Sequence, residues 1–328
     1  MSRRKLFLFL GFTFGISWLS AGTQYVCGIP YGSGWSIVLT ASTVMWGPAL
    51  AAIIVQKYIY RESFFHYGFR FRNSNKKGWW SLPLVYFGYI IMGLVAVGLC
   101  GNIFHLANFP TLDFSHEHLQ NYFHKVGVEA GKPDLVIPDI FTNGWIMLAL
   151  TVVSAIFAGC TINLIATFGE EFGWRGALAY ETRSWGFWKS GLINGIIWGG
   201  WHAPLILQGH NYPEHRVAGV FMMMGFCVSL GYLMSYLRIK TKSVFAPAAM
   251  HGMVNAAAGG LLMVCNGDND LMSLVGVTGI IGSALVLLVI YLVDAKTIKC
   301  YTEILSETEP VLKTTETRGH GGSTEQSY

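Results

Sequence analysis

The sequence predicts an all-α fold, a polytopic bundle of membrane-spanning helices, and three observations carry that reading. Of 328 residues, 52% are hydrophobic and only 12% are charged, about half the charge of an ordinary soluble domain. Mean hydropathy is +0.44. The apolar residues also gather into stretches of about 20, the length that crosses ~30 Å of hydrocarbon. This composition excludes a disordered chain, a basic nucleic-acid-binding domain and an ordinary cytosolic enzyme. The expected surroundings are the lipid bilayer of a cell membrane, crossed many times, with no nucleic-acid partner. Six cysteines are far apart and form no C-x-x-C pair, so they indicate neither a disulfide framework nor a zinc site.

Eight stretches qualify, at 6–24, 36–56, 80–104, 145–168, 191–209, 217–237, 243–264 and 272–293. The first follows Ser2-Arg3-Arg4-Lys5. Its apolar run exceeds the about 7–15 residues of a signal-peptide core, and Ser20-Ala21-Gly22 is a weak cleavage site, so it is read as a retained span. The second and third follow. After them comes the longest connection, 105–144, with His105, His116, Glu117, His118 and His124. No helical i, i+4 pair or second cluster accompanies them, and the segment reads as a solvated loop rather than a metal site. The fifth stretch contains Gly199, Gly200 and Pro204 around His202. Small residues let helices approach, and proline interrupts their regularity.

Charge orients these spans. With the N-terminus inside, segments 1–5, 57–79, 169–190, 238–242 and 294–328 hold 19 of the 22 Lys and Arg, leaving Lys125, Lys132 and Arg216 outside. Positive residues stay on the cytoplasmic side during insertion, so both termini are expected in the cytoplasm. Residues 1–301 form one eight-span domain. Residues 302–328, rich in Thr, Ser, Glu and Gly, read as a disordered cytoplasmic tail. The chain has no internal repeat, no G-x-x-x-x-G-K-[ST] and no H-E-x-x-H.

Ionisable residues at membrane depth are costly and mark functional sites. Of 18 Asp and Glu, 16 lie in loops, tails or at span ends; the exceptions are Glu170 and Glu171, at the inner end of the fourth stretch. His202 and His251 sit deep in the fifth and seventh. Residues four apart share a helix face, so Glu171 faces Arg175. Glu170 is rotated about 100° away and keeps no such partner. The same spacing puts His251 and Asn255 on one face, able to donate toward one point. A free base with convergent donors is the equipment of water-mediated acyl hydrolysis, in which the donors stabilise the oxyanion.

Glu170-Glu171-x-x-x-Arg175, Trp198-x-x-x-His202 and His251-x-x-x-Asn255 together resemble the three motifs of the CAAX protease and bacteriocin-processing (CPBP, or Abi) family of intramembrane endopeptidases. The string from Glu170 to Gly176, then Ile197 to Leu205 and Asn211-Tyr212-Pro213, is similar to a prokaryotic branch. Tyr67 to Arg72 followed by Trp79 resembles the family's inner loop. The resemblance implies an eight-helix protease whose site opens toward the cytoplasm and takes a peptide or protein substrate from the membrane or cytoplasmic side. It implies that Glu170 and His202 activate water, that His251 and Asn255 hold the oxyanion, and that Glu171, Arg175 and Trp198 support them. Trp198 stands where the second motif usually has Phe. Members have been described as metalloproteases, which makes zinc at Glu170, His202 and His251 the alternative to a metal-free site. Two other functions remain open, a non-catalytic immunity or scaffold protein and a proton-coupled transporter. One conflict stands in the sequence itself. Glu170 falls near the inner interface, whereas His202 lies roughly 16 Å along its helix at 1.5 Å per residue. A fourth helix that is long and tilted, or shifted outward, resolves it.

Overall fold

The computed structural model describes residues 3–69, 74–129, 131–132, 136–267 and 269–307. All eight apolar stretches are helical. Helix α1 is Arg3–Val26, α2 is Gly34–Ile59 and α3 is Lys76–Ile103. After α4 (His116–Glu129) come α5 (Gly144–Cys160) and α6 (Ile162–Glu181). Helices α7 (Gly186–Trp201) and α8 (Ala203–Leu207) follow, then α9 (Arg216–Thr241), α10 (Phe245–Leu262), α11 (Val277–Lys299) and α12 (Tyr301–Ser306). Among the described residues the strands are β1 (Thr111–Leu112) and β2 (Cys265–Asn266), paired antiparallel.

By length and apolarity, α1, α2, α3, α9 and the segment Asp270–Lys299 can each cross a membrane. Helices α5 and α6, bent by 62° at their junction, make a sixth span when taken together. Inside the bundle α9 lies between α7 and α11, and α10 packs on α5 and α6. Trp174, Trp201, Leu233, Leu237 and Met250 are fully or almost fully buried there.

The fourth span departs from the sequence reading. Thr161, with φ −128° and ψ −97°, breaks the helix, and a fresh helix then runs on to Glu181 rather than stopping at 168. Glu170 and Glu171 therefore lie in mid-helix, and Arg175, which the sequence assigns to an inner loop, is buried among neighbouring helices. The turn Phe172–Leu178 is π-helical, a local widening that often accompanies functional sites. A Cβ on Gly173 would stand 2.3 Å from the Pro48 Cβ, so glycine is what lets α6 lie directly on α2.

The 105–144 connection is also more ordered than a solvated loop. It contains α4, whose polar sequence carries no span signal. His116 Nδ1 shares a 2.7 Å hydrogen bond with Thr142 Oγ1, and His118 Nε2 donates to the Met263 carbonyl at 3.1 Å. These bonds fix the helix over the end of α10. At the C-terminus the chain stays helical through Ser306, with Thr302 Oγ1 donating to the Arg183 carbonyl at 2.7 Å. The rest of the expected tail, 308–328, lies outside the described residues.

Candidate active site

Three helices contribute the polar groups. The middle of α6 supplies Glu170, Glu171 and Arg175. Helix α7 supplies Trp198 and ends at His202, and α10 supplies His251 and Asn255. Proline at 204, in the first turn of α8, has no N–H to continue the helix, and His202 occupies the break. A Cβ on Gly199 would sit 2.4 Å from the Met224 Cα. The backbones of α7 and α9 thus meet beside His202, as the glycines there suggest.

Glu171 pairs with Arg175, whose Nη1 donates to Oε1 at 3.2 Å. The pairing is not exclusive. His251 Nδ1 donates to the same oxygen at 3.0 Å, although the sequence reading commits Glu171 to Arg175 alone. All three groups are buried; both donors meet Oε1, and Glu171 Oε2 is buried without a hydrogen-bond partner.

Glu170 has a partner that spacing along one helix does not reveal. Trp198 Nε1 donates to its Oε2 at 2.8 Å. The same indole packs edge-on to the His251 ring at 5.3 Å and lies beneath the Arg175 guanidinium, 4.2 Å from the ring centroid. Phenylalanine at this position would keep the packing but lose the donor.

The two histidines are each held through Nδ1. His202 Nδ1 donates to the Trp198 carbonyl at 2.9 Å, and His251 Nδ1 donates to Glu171. Each neutral ring is left with an Nε2 lone pair, an acceptor. His251 therefore donates from Nε2 only as the imidazolium, a condition the sequence reading of a ready oxyanion donor does not contain. The neighbouring Glu171 carboxylate is the counter-charge for that form. Asn255 is exposed, unlike His251 one turn earlier.

Glu170, Trp198, His202, His251 and Asn255 line a single cavity of about 250 Å³. Glu171 and Arg175 lie behind its wall. The long α6 removes the conflict in depth between Glu170 and His202. Another residue in the wall escaped the sequence reading. His210 stacks on His202, with ring centroids 6.2 Å apart and planes 12° from parallel, and bonds to the Tyr31 hydroxyl. Burial pushes its pKa down to about 4, so it is neutral near pH 7. It follows the fifth apolar stretch in a polar Gly-His-Asn run, where nothing distinguishes it from a loop histidine. Among the described residues no three of His, Cys, Asp and Glu converge as a metal-binding group.

Residues 152–257 match the family profile described as type II CAAX prenyl endopeptidase Rce1-like. The matched stretch contains every residue named above as a motif member, from Glu170 to Asn255. No curated protein matches the chain.

Proposed function

We propose, from the match of residues 152–257 to the Rce1-like profile, that the chain is an intramembrane endopeptidase of the CAAX protease and bacteriocin-processing type, acting on a peptide or protein substrate. The observation that carries the reading is the convergence of Glu170, His202, His251 and Asn255 on one cavity. Glu170, aimed by the Trp198 indole, takes a proton from water as the water oxygen bonds to the scissile carbonyl carbon. His202 accepts a hydrogen bond from the same water through Nε2 and orients it. His251 as imidazolium, balanced by Glu171, and the Asn255 amide donate to the oxyanion. When the C–N bond breaks, Glu170 returns the proton to the leaving amine. Donors fixed before the charge develops act most strongly in the transition state.

The accompanying topology is eight spans in the cell membrane with both termini cytoplasmic, the two remaining spans being α7 with α8, and α10. The proposed chemistry requires no metal, since Glu170 is the base and His251 an oxyanion donor. The test is peptide cleavage by the purified full chain, followed by mass spectrometry of the products. Cleavage that survives exhaustive chelation is expected. Activity lost on stripping and restored by zinc would overturn the metal-free mechanism, and absence of cleavage with every peptide offered would overturn the endopeptidase reading.

A further inference from the structure

Away from the active site, a groove of about 310 Å³ runs between α3 and α11, with Tyr236 of α9 at one end. It shares no lining residue with the cavity that holds Glu170 and His202. Its walls are apolar along their length, with Leu84, Val85 and Met92 from α3 and Val286, Val289 and Val293 from α11. Glycines set its closed end. A Cβ on Gly282 would stand 2.8 Å from the Gly93 Cα, so the two backbones touch there. On the side toward the Lys/Arg-rich loops the facing residues are larger, and the helices leave the groove between them.

The other end of the groove is polar. Ser81 and Asp294 each stand twelve residues from the glycine contact, about 18 Å along a helix at 1.5 Å per residue. That is close to one leaflet, half of ~30 Å of hydrocarbon. Trp80, exposed beside Ser81, is a residue type that collects at the membrane–water interface. At Asp294 helix α11 leaves helical geometry, with φ −138° and ψ 38°. The Asp294 carboxylate accepts from the Tyr236 hydroxyl at 2.9 Å, from Thr297 Oγ1 at 2.8 Å and from Lys240 Nζ. Lys240 Nζ also donates to Thr297 Oγ1 at 3.4 Å, which leaves one of its three N–H groups for another acceptor. The Asn75 amide donates to the Lys240 carbonyl at 3.0 Å and so brings the Lys76-Lys77 turn beside the end of α9. Lys76, Lys77 and Lys296 are exposed. Asp294 balances one of these four positive charges, and the surplus favours an anion.

We infer that the groove seats one acyl chain of an anionic phospholipid, with its phosphate against Lys240 and Lys77. Dimensions select a chain over a helix. Spread along ~18 Å, the groove's volume leaves a cross-section of about 17 Å². A helix is about 10–12 Å across with its side chains, several times too large. Lipid tails are as apolar as the groove itself, so the headgroup supplies the preference. The phosphate meets the lysines where the hydrocarbon ends.

Native mass spectrometry tests this on the full chain, released from micelles that contain either palmitoyl-oleoyl phosphatidylglycerol or the phosphatidylcholine with the same chains. The parent protein should retain one phosphatidylglycerol about fivefold more than phosphatidylcholine. Lys240→Gln should lower phosphatidylglycerol retention about fivefold, the effect of one basic residue on attraction to an anionic lipid surface, and leave phosphatidylcholine unchanged. Because Lys240 also holds Asp294, it is read beside Lys77→Gln, an exposed position where the same loss is expected. Val289→Trp, which fills the groove, should abolish retention of the lipid. Leu292→Trp, on exposed α11 surface outside the groove, should not. Equal retention of the two lipids by the parent, as for ordinary boundary lipid, would overturn the inference, and so would phosphatidylglycerol retained as well after Val289→Trp. A lipid-free dimer that Val289→Trp dissociates would assign the groove to a second copy of the chain instead. None of these readouts requires peptide cleavage, so the lipid site and the protease reading stand or fall separately.

Discussion

The two ends of the bundle treat their polar residues in opposite ways. At the Lys/Arg-rich end charges are spent on one another. Lys5 Nζ lies 3.0 Å from Glu62 and 2.7 Å from Glu181, Lys242 lies 2.6 Å from Glu307, and Lys240 is bonded to Asp294. Elsewhere, although His215 and Asp270 pair, polar groups also face open space, with Asn255, Glu170 and His202 lining one cavity and Asn121, Asn211, Asn266 and Asn269 another. Paired charges close a surface and hold helices in place. Polar side chains facing a cavity keep their hydrogen-bonding groups open to solvent or to a ligand. On the proposed function, chemistry belongs to the cavity residues and anchoring to the paired charges, and substitutions should separate the two.

The largest effect belongs to Glu170→Gln. The amide keeps the shape and can still meet the Trp198 indole through its oxygen, but it cannot take a proton from water. General-base catalysis contributes on the order of 10²–10⁴ in rate, so turnover should fall below detection in a protein that melts normally. Near-normal cleavage by this variant would remove Glu170 from the mechanism.

Asn255→Ala follows. Loss of one oxyanion donor costs on the order of 10²–10³ in turnover, with little change in KM because the oxyanion exists only near the transition state. His251→Ala should cost at least as much, and also leave Glu171 with Arg175 as its one remaining partner. The double variant should lose far less than the product of the two single losses, since donors to one charge are non-additive. If Asn255→Ala instead lowers the melting temperature while the folded fraction cleaves normally, the residue belongs with the anchoring groups.

Trp198→Phe is a finer cut. A hydrogen bond to a charged group is worth about 1.5–3 kcal/mol, so turnover should drop by roughly 10–100-fold with the aromatic packing retained. Trp198→His, which restores an N–H donor, should recover more activity than the phenylalanine variant. Equal activity in the two would assign Trp198 to packing alone.

The same contrast explains what the sequence made legible. Apolar length pointed to the helices of the eight apolar stretches, and ionisable groups in apolar runs pointed to Glu170, Glu171, His202 and His251, because both signals rest on the cost of polar groups in lipid. Contacts that join different helices leave no such trace. Nothing in the spacing along α6 or α7 announces that the Trp198 indole meets Glu170, or that His251 shares Glu171 with Arg175. The bend at Thr161 has no proline or glycine at that residue to mark it. Taking Glu170 and Glu171 as an interface therefore ended the fourth span too early. Helix α4 and His210 were passed over because polar residues in a connection look alike whether they face solvent or a cavity.

The smallest effect tests the anchoring end. The hydrogen bond from Lys5 holds the Glu62 carboxyl below its ordinary value of 4.5, and Gln56 Nε2 donates to the same oxygen at 3.0 Å. A carboxyl with a lowered folded-state pKa adds stability while it is ionised. That contribution is full above the unfolded pKa, and it disappears as pH falls from about 4.5 through the lowered folded value. Glu62 is more than half exposed, with 54% of its side chain accessible, so the contribution is small, as for other solvated ion pairs. Glu62→Gln should lower the melting temperature slightly at pH 7 and leave peptide cleavage unchanged. The gap from the parent protein should shrink as the medium is acidified below pH 4.5, because the parent then loses the interaction that the variant never had. A gap that widens on acidification would mean that Glu62 is not held ionised by Lys5. A loss of cleavage in this variant would mean that the two ends of the bundle are coupled rather than separate in their work.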